Sequence, residues 1–256
     1  MRIVRVLAYG WLFRMKMLMR SSFNSWLGVL YPLFFATVAF FMFKSGASSK
    51  PLLYSSLGAA VMGIWSNTAT PAGSALAQER FDGTLELVVA VPAHFSLVLL
   101  PITIAMTTMG IYSMAATLLW GRLLFGIPVH IVHPLLFCLA VPATIVAIGM
   151  LGFLLSVTVV RYRTAWALGN ALEYPVWLVC GFLVPLSLFP GWVQPISWAL
   201  APTWGVRAIR EAALGGAPLW PTAACTALGL GYGVLGALLV GTVLRSARER
   251  ATLSLT

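Results

Sequence analysis

Long uninterrupted apolar runs constrain this chain more than any other feature of its sequence. Six runs each reach the roughly 20 residues, with a range of about 17–25, that a spanning helix needs. They cover residues 26–43, 52–77, 95–120, 135–160, 165–188 and 222–244. Only 9% of the residues are charged, against about 25% in a typical soluble domain. A soluble chain of 256 residues could not cover this much apolar surface.

The runs predict an all-α polytopic membrane protein with six transmembrane helices. A transmembrane β-barrel is excluded, because its strands alternate between apolar and polar residues and these runs are continuously apolar. Several runs contain proline, which spanning helices tolerate because neighbouring groups satisfy the freed carbonyls. We expect a single transmembrane domain over residues 1–256.

Lys and Arg are unequally divided between the two sides of the membrane. With six spans both termini share a side, and that side carries eleven Lys and Arg residues against five on the other. Cytoplasmic loops carry the excess in membrane proteins, so both termini are predicted to be cytoplasmic, in a cell (inner or plasma) membrane. The net charge of +10 requires no nucleic-acid partner, because the basic residues belong to separate loops.

Residues 1–22 have the spacing of an amphipathic interfacial helix. At about 100° per residue, basic residues gather on one stripe and apolar residues on the opposite one. The basic stripe, with one tyrosine, contains Arg2, Arg5, Tyr9, Lys16 and Arg20. The apolar stripe contains Val4, Leu7, Trp11, Met15 and Leu18. Such a helix lies in the headgroup plane and binds membrane lipid.

Residues 78–92 form a charged segment between the second and third runs. Three of the six carboxylates of the chain lie here, at Glu79, Asp82 and Glu86. Their i, i+3, i+7 spacing places them on one face of a continuous helix. From spacing alone, a solvated cytoplasmic loop explains the segment better than a docking surface does.

Two sets of motifs resemble the permease subunits of the ABC-2 family of ATP-binding-cassette exporters, which move drugs, lipids or polysaccharide. The first set comprises residues 67–70, 78–87 and 90–92. It has the family's order of a second span, a charged cluster, Gly-Thr-Leu-Glu and a proline. The second set comprises residues 181–185, 189–192, 201–204 and 207–210, and resembles the family's fifth span and external re-entrant region. Phe81 stands where the family often has a charged residue.

The resemblance implies a docking role for residues 78–92, which we call the coupling segment. It would rest on a separate ATP-binding cassette subunit, present in two copies. The residues that carry this role are Glu79, Arg80, Asp82, Gly83, Thr84, Leu85 and Glu86. One such permease offers too few helices to enclose a path, so we expect a second permease chain in a homodimer or heterodimer.

No phosphate-binding loop occurs in the chain. Such a loop needs Gly-Lys-Ser/Thr, and none of Lys16, Lys44 and Lys50 follows a glycine. We therefore expect no catalytic residue and no cofactor in this chain, with ATP and Mg²⁺ bound by the partner subunit. His130 and His133 share a loop, but two ligands do not make a metal site.

Glu173 is the only carboxylate predicted well inside a span. A buried charge in lipid is expensive and marks a candidate functional site. Asn170 lies one turn before it, and Asn67 of the second span is expected to face it. Three roles stay open: a contact between helices or subunits, a polar lining of the transport path and, more remotely, direct proton coupling.

A short external helix is predicted between the fifth and sixth spans, over residues 202–216. It has a proline start and a glycine stop, and the family resemblance implies that it belongs to an external re-entrant segment. Its candidate gate residues are Trp204, Arg207, Arg210 and Glu211. Alternatively, its tryptophans belong to an aromatic belt at the membrane surface.

The sequence favours a permease that exports an amphiphilic small molecule, such as a drug, an antibiotic or a lipid-like compound, from the cytoplasm or inner leaflet. One alternative is a polysaccharide or glycolipid exporter. More remote alternatives are an intramembrane enzyme, for which facing spans lack converging His, Asp or Glu, and a non-transporting membrane scaffold.

Overall fold

The computed structural model describes residues 2–20, 30, 33–34, 36–38, 40–41, 52–67, 95–126, 130–159 and 165–249. All regular elements in these ranges are helical, as predicted. The helices are α1 (Arg2–Arg20), α2 (residues 52–67), α3 (Phe95–Phe125), α4 (Pro134–Val159), α5 (Ala165–Val179), a 3₁₀ turn (Leu186–Leu188), α6 (Val193–Trp198), α7 (Ala201–Leu214) and α8 (Leu219–Glu249).

Three of the described helices are long and apolar enough to cross a membrane. They contain Leu100–Phe125 in α3, Pro134–Val157 in α4 and Leu219–Leu239 in α8. These stretches overlap the predicted spans at 95–120, 135–160 and 222–244. The predicted spans at 26–43 and 52–77 fall partly outside the described residues. Six spans therefore remain a prediction.

The α5 helix ends at Val179, whereas the predicted fifth span continues to residue 188. Gly181 adopts a φ of +69°, the left-handed conformation that glycine accepts most readily. The Gly181 N–H donates to the Leu178 carbonyl at 3.0 Å, and the Phe182 N–H donates to the Trp177 carbonyl at 3.2 Å. This pair of bonds is a Schellman motif, which turns the chain out of the helix.

The α1 helix packs along α3. The Trp11 indole N–H donates to the Thr108 hydroxyl at 3.2 Å, and Gly10 lies against the Pro101 ring. Within the described side chains of the two predicted stripes, the apolar members are buried or half-buried and the others are exposed. The apolar stripe therefore faces the protein. The position of α1 in the headgroup plane stays a prediction.

The core forms where α2, α4, α7 and the residues after α5 meet. Its largest fully buried side chains include Trp65, Phe153, Phe182 and Ile209. The α7 helix packs against both α4 and α8, and most of its residues are buried. A helix this short would be only marginally stable in isolation. Packing against its neighbours therefore stabilises α7 in the interior of the protein.

Candidate functional site around helix α7

The α7 helix begins and ends as its sequence predicts. Pro202 lies in the first turn, where its missing N–H costs no helical bond. Gly215 follows the last turn with a φ of +94°. The N–H groups of Gly215 and Gly216 both donate to the Glu211 carbonyl, at 3.1 and 2.7 Å. These bonds satisfy a carbonyl that the helix end would otherwise leave unpaired.

Neighbouring elements hold both ends of α7. At the start, the Ala201 N–H donates to the Tyr232 hydroxyl of α8 at 3.3 Å, and that hydroxyl donates to the Ala199 carbonyl. At the other end, the N–H groups of residues 132 and 133 donate to the carbonyls of residues 213 and 212, at 3.2 and 3.0 Å. The position of α7 is therefore fixed by α8 and by the segment that precedes α4.

Arg210 connects the middle of α7 to two further elements. Its side chain is buried, with a residue exposure of 6%. Nε donates to the Tyr54 carbonyl of α2 at 3.2 Å. Nη1 donates to the Gly181 carbonyl at 2.8 Å, and Nη2 donates to the Phe182 carbonyl. The guanidinium carbon also lies 3.5 Å from the centroid of the Tyr54 ring.

These neutral groups stabilise a buried cation. Burial lowers the pKa of Arg210 to about 10, so the guanidinium still carries its proton at neutral pH. A buried charge is costly unless its hydrogen bonds are made. Here carbonyl dipoles and the face of the Tyr54 ring supply the attraction. The two carbonyls of residues 181 and 182 lie just beyond the C-terminal end of α5, where the helix dipole also favours a cation.

Gly58 permits the close approach of α2 to this cluster. A Cβ atom built on Gly58 would overlap both the Phe182 carbonyl oxygen and Nη2 of Arg210. Because the first obstacle is backbone, no side-chain rotation could relieve it. Only glycine at this position allows the Arg210 contacts as they stand.

A cavity of about 570 Å³ lies beside α7, within the range of about 300–1,000 Å³ typical of ligand sites. One wall is α7 itself, from residue 203 to the glycines that follow it. The rest of the lining comes from residues 180–181 and 185–187, together with Trp198 and Tyr54. Ser187 and Trp198 are exposed, so the cavity opens to the surface.

Trp204, Arg207 and Glu211 form the outer part of the cavity lining. The Arg207 Nε donates to a Glu211 carboxylate oxygen at 2.7 Å, one helical turn away. The Arg207 guanidinium lies 5.8 Å from the Trp204 ring centroid. The Trp204 indole N–H donates to the Trp198 carbonyl at 2.8 Å. These contacts give the mouth of the cavity an aromatic surface beside a neutralised ion pair.

The structure brings the four predicted gate residues to one cavity, but gives them different environments. Arg207 is exposed and its charge is paired, whereas Arg210 is buried against neutral groups. Sequence reasoning missed Tyr54 and Gly58, because neither stands out in an apolar run. A glycine one turn after a tyrosine near the start of a span was the only available signal.

Glu173 has a partner that the sequence did not indicate. It is buried at 7% exposure, and the Ser66 hydroxyl of α2 donates to its Oε1 at 2.6 Å. That distance is typical of a hydroxyl bonded to a carboxylate. The Asn67 side-chain amide donates within its own helix, to the Gly63 carbonyl at 2.8 Å. The Asn170 side chain lies outside the described part of the chain.

The predicted coupling segment also lies outside the described residues. Its seven named members therefore keep the status of predictions: Glu79, Arg80, Asp82, Gly83, Thr84, Leu85 and Glu86. The described helix that leads toward them is α2, which carries Tyr54 near its start and Ser66 near its end.

Comparison with known protein families identifies the family of this chain. The profile of the ABC-2 type transporter family matches residues 7–214, which is most of the 256 residues and runs from within α1 to the end of α7. No curated protein matches the sequence significantly. The match, together with the apolar helices, makes this chain a membrane permease of the ABC type. The chain belongs to the ABC-2 type transporter family.

Proposed function

We propose that this chain is the permease subunit of an ATP-driven exporter, and that α7 with its cavity forms the external gate. One observation supports this most strongly: Arg210 joins α7 to the start of α2 and to the end of α5. The predicted topology puts these parts on the same, external side. The segment before α4, also predicted to be external, is bonded to α7 as well.

The α2 helix is the proposed route from the ATPase to this gate. Its early residues Tyr54 and Gly58 contact the Arg210 guanidinium. Toward its other end the chain continues through residues 68–77 into the coupling segment. A rigid helix fixed at both ends passes on a rigid-body motion. Closure of the ATP-binding subunits would therefore shift the carbonyl and ring that hold Arg210, and with them α7.

The remaining parts of the assembly follow from this proposal. Two ATP-binding subunits bind ATP and Mg²⁺, and this chain itself uses no cofactor. A second permease chain, identical or related, completes the path across the cell membrane. Both termini lie in the cytoplasm. The transported molecule is a small amphiphile, because the cavity offers aromatic and apolar walls beside charged groups.

Replacing Glu79, Asp82 and Glu86 together with Ala tests the coupling part of the proposal. Each exposed ion pair contributes only about 0–1 kcal/mol, so single changes should be mild and the triple change larger. We expect weaker co-purification with the ATP-binding subunit and loss of substrate-stimulated ATP hydrolysis in lipid. A proline at Leu85 should have a greater effect, because it would break any helix that runs through the three carboxylates.

Glu211→Ala is the control, because it removes one carboxylate from the side that is predicted to be external. It should leave association with the ATP-binding subunit unchanged. The proposal fails if the triple variant and the proline variant both keep normal association and normal stimulation.

A further inference from the structure

We propose, on the basis of the proposed gate, that the cavity beside α7 binds an amphiphile with a negatively charged headgroup. Three charged side chains line this cavity: Arg207, Arg210 and Glu211. Two cations and one anion give a net charge of +1 (2 − 1). The Glu211 carboxylate is paired with Arg207 at 2.7 Å. The excess positive charge therefore belongs to Arg210, at the buried end of the cavity.

Arg210 has hydrogen-bonding capacity left for an anion. A guanidinium carries five N–H groups in a planar fork. In the described part of the chain, three of its nitrogens each donate one bond to a carbonyl. One N–H on Nη1 and one on Nη2 donate to no carbonyl of the described residues. The Tyr54 side chain also interacts with the guanidinium, and Arg210 lines the cavity. Carboxylate and phosphate oxygens match that fork and form shorter, stronger bonds than neutral acceptors do.

The rest of the cavity suits the apolar part of such a molecule. Trp198 and Trp204 stand toward the surface, and Leu186 and Val206 complete the apolar lining. Aromatic walls bury a large apolar area at little entropic cost. The volume of about 570 Å³ holds a drug-sized body. An anionic headgroup would bind Arg210, and the apolar part of the same molecule would lie between the tryptophans. The ligand that fits both parts is an anionic amphiphile.

Binding to the full chain in nanodiscs of zwitterionic lipid tests the charge preference. The probes are dodecyl phosphate, dodecyl maltoside and dodecyltrimethylammonium, which share a chain and differ in headgroup charge. We expect dodecyl phosphate to bind tightest and the cationic probe weakest. Equal affinity for the three probes would show simple partitioning into the membrane and would overturn the proposal.

Charge changes at the cavity mouth should alter the affinity in opposite directions. Arg207→Gln leaves Glu211 unpaired and reduces the net lining charge to zero, whereas Glu211→Gln raises it to +2. Dodecyl phosphate should bind about two- to fivefold more weakly to the first variant and tighter by a similar factor to the second. Arg122→Gln is the control: Arg122 is exposed at the end of α3 and does not line the cavity. Equal changes in Arg207→Gln and Arg122→Gln would contradict the assignment.

The position of the bound probe is measured by cysteine labelling. Ser187 is exposed and lines the cavity, so Ser187→Cys, with the exposed Cys138 changed to Ser, reports on its mouth. Dodecyl phosphate should slow maleimide labelling of this cysteine. Unchanged labelling under saturating probe would place the ligand elsewhere and refute the proposal.

A second arm identifies the source of the anionic amphiphile. Phosphatidylglycerol added to the nanodisc competes with dodecyl phosphate if the natural occupant is a membrane lipid. Absence of competition assigns the cavity to a free amphiphile, the class expected of a transported molecule. All of these measurements use the permease without its ATPase. Failure of the coupling experiment therefore leaves the binding result intact, and failure of binding leaves the coupling result intact.

Discussion

Replacing Arg210 with Met removes the cation that joins α7 to α2 and to the end of α5. Methionine keeps a long, flexible, apolar side chain, so the space along the arginine stem stays filled. What is lost is the set of three hydrogen bonds to backbone carbonyls and the contact with the Tyr54 ring. The substitution therefore isolates the polar part of the contact.

The size of the effect follows from two opposing terms. The Tyr54 carbonyl keeps the bond within its own helix, so two carbonyls lose their donor. Each costs about 1–3 kcal/mol, or about 2–6 kcal/mol for the two. Against this, the variant no longer buries a charge, which costs several kcal/mol in the native protein. We expect a net destabilisation of about 2–4 kcal/mol. At about 2–4 °C per kcal/mol, the scale of soluble domains of 150–250 residues, Tm falls by about 4–16 °C.

The assay is thermal unfolding of the purified permease in one detergent, followed by the loss of its monodisperse peak on size exclusion. Arg207→Met is the matched control, because Arg207 lies one turn away on the same helix and is exposed. Its Tm should change by less than about 2 °C, since an exposed ion pair contributes little. Arg210→Lys should fall between the two, because an ammonium keeps the charge but not the planar fork.

Equal Tm values for Arg210→Met and Arg207→Met would refute this reasoning. That result would mean that water or neighbouring groups replace the guanidinium at the three carbonyls without cost. The proposed connection between α2 and α7 would then lack an energetic basis.

Two further substitutions test other contacts of α2. Gly58→Ala should lower Tm by more than about 4 °C, because its Cβ would overlap the Phe182 carbonyl. Gly231→Ala is the control: its Cβ would meet open space, so the change should be neutral or stabilising. Equal effects of the two substitutions would argue against the close approach of α2 to residue 182. Glu173→Gln should preserve dimerisation and transport, because the amide oxygen still accepts the bond from Ser66, whereas Glu173→Leu should weaken one of them. A fully dimeric and fully active Glu173→Leu protein would show that this carboxyl has neither role.

Sequence patterns were sufficient for the features that depend on local composition. The helical class, the ends of α7 and the two stripes of α1 follow from apolar run length, from Pro and Gly at helix ends, and from the 3.6-residue period. Each of these properties is set by residues close together in the chain. The family match over residues 7–214 likewise agrees with the motif resemblance.

Contacts between distant residues could not be predicted in this way. Arg210 and Tyr54 are 156 positions apart, and nothing near either residue specifies the other. The end of α5 at Val179 was also missed, because Gly181 lies in an apolar stretch that hydropathy cannot divide. Hydropathy measures transfer into lipid, whereas the turn depends on a positive φ at one glycine. The Ser66 partner of Glu173 was missed for a similar reason, because the two residues are 107 positions apart.

The position of Arg210 connects cavity binding to gate opening. Removing one partner of a buried ion pair destabilises a protein by about 3–5 kcal/mol. Among the described residues Arg210 is buried without such a partner, because neutral carbonyls hold it in place of a carboxylate. An anion at the remaining N–H groups supplies that countercharge, so Arg210 depends less on the carbonyl dipoles that hold it to α2 and to the end of α5. We therefore expect dodecyl phosphate to favour the displacement of α7 and to stimulate ATP hydrolysis in the complete transporter. Arg210→Met should keep basal hydrolysis and lose the stimulation, while Arg122→Gln should keep both. Stimulation of equal size in the wild type and in Arg210→Met would show that the bound anion acts through some other residue.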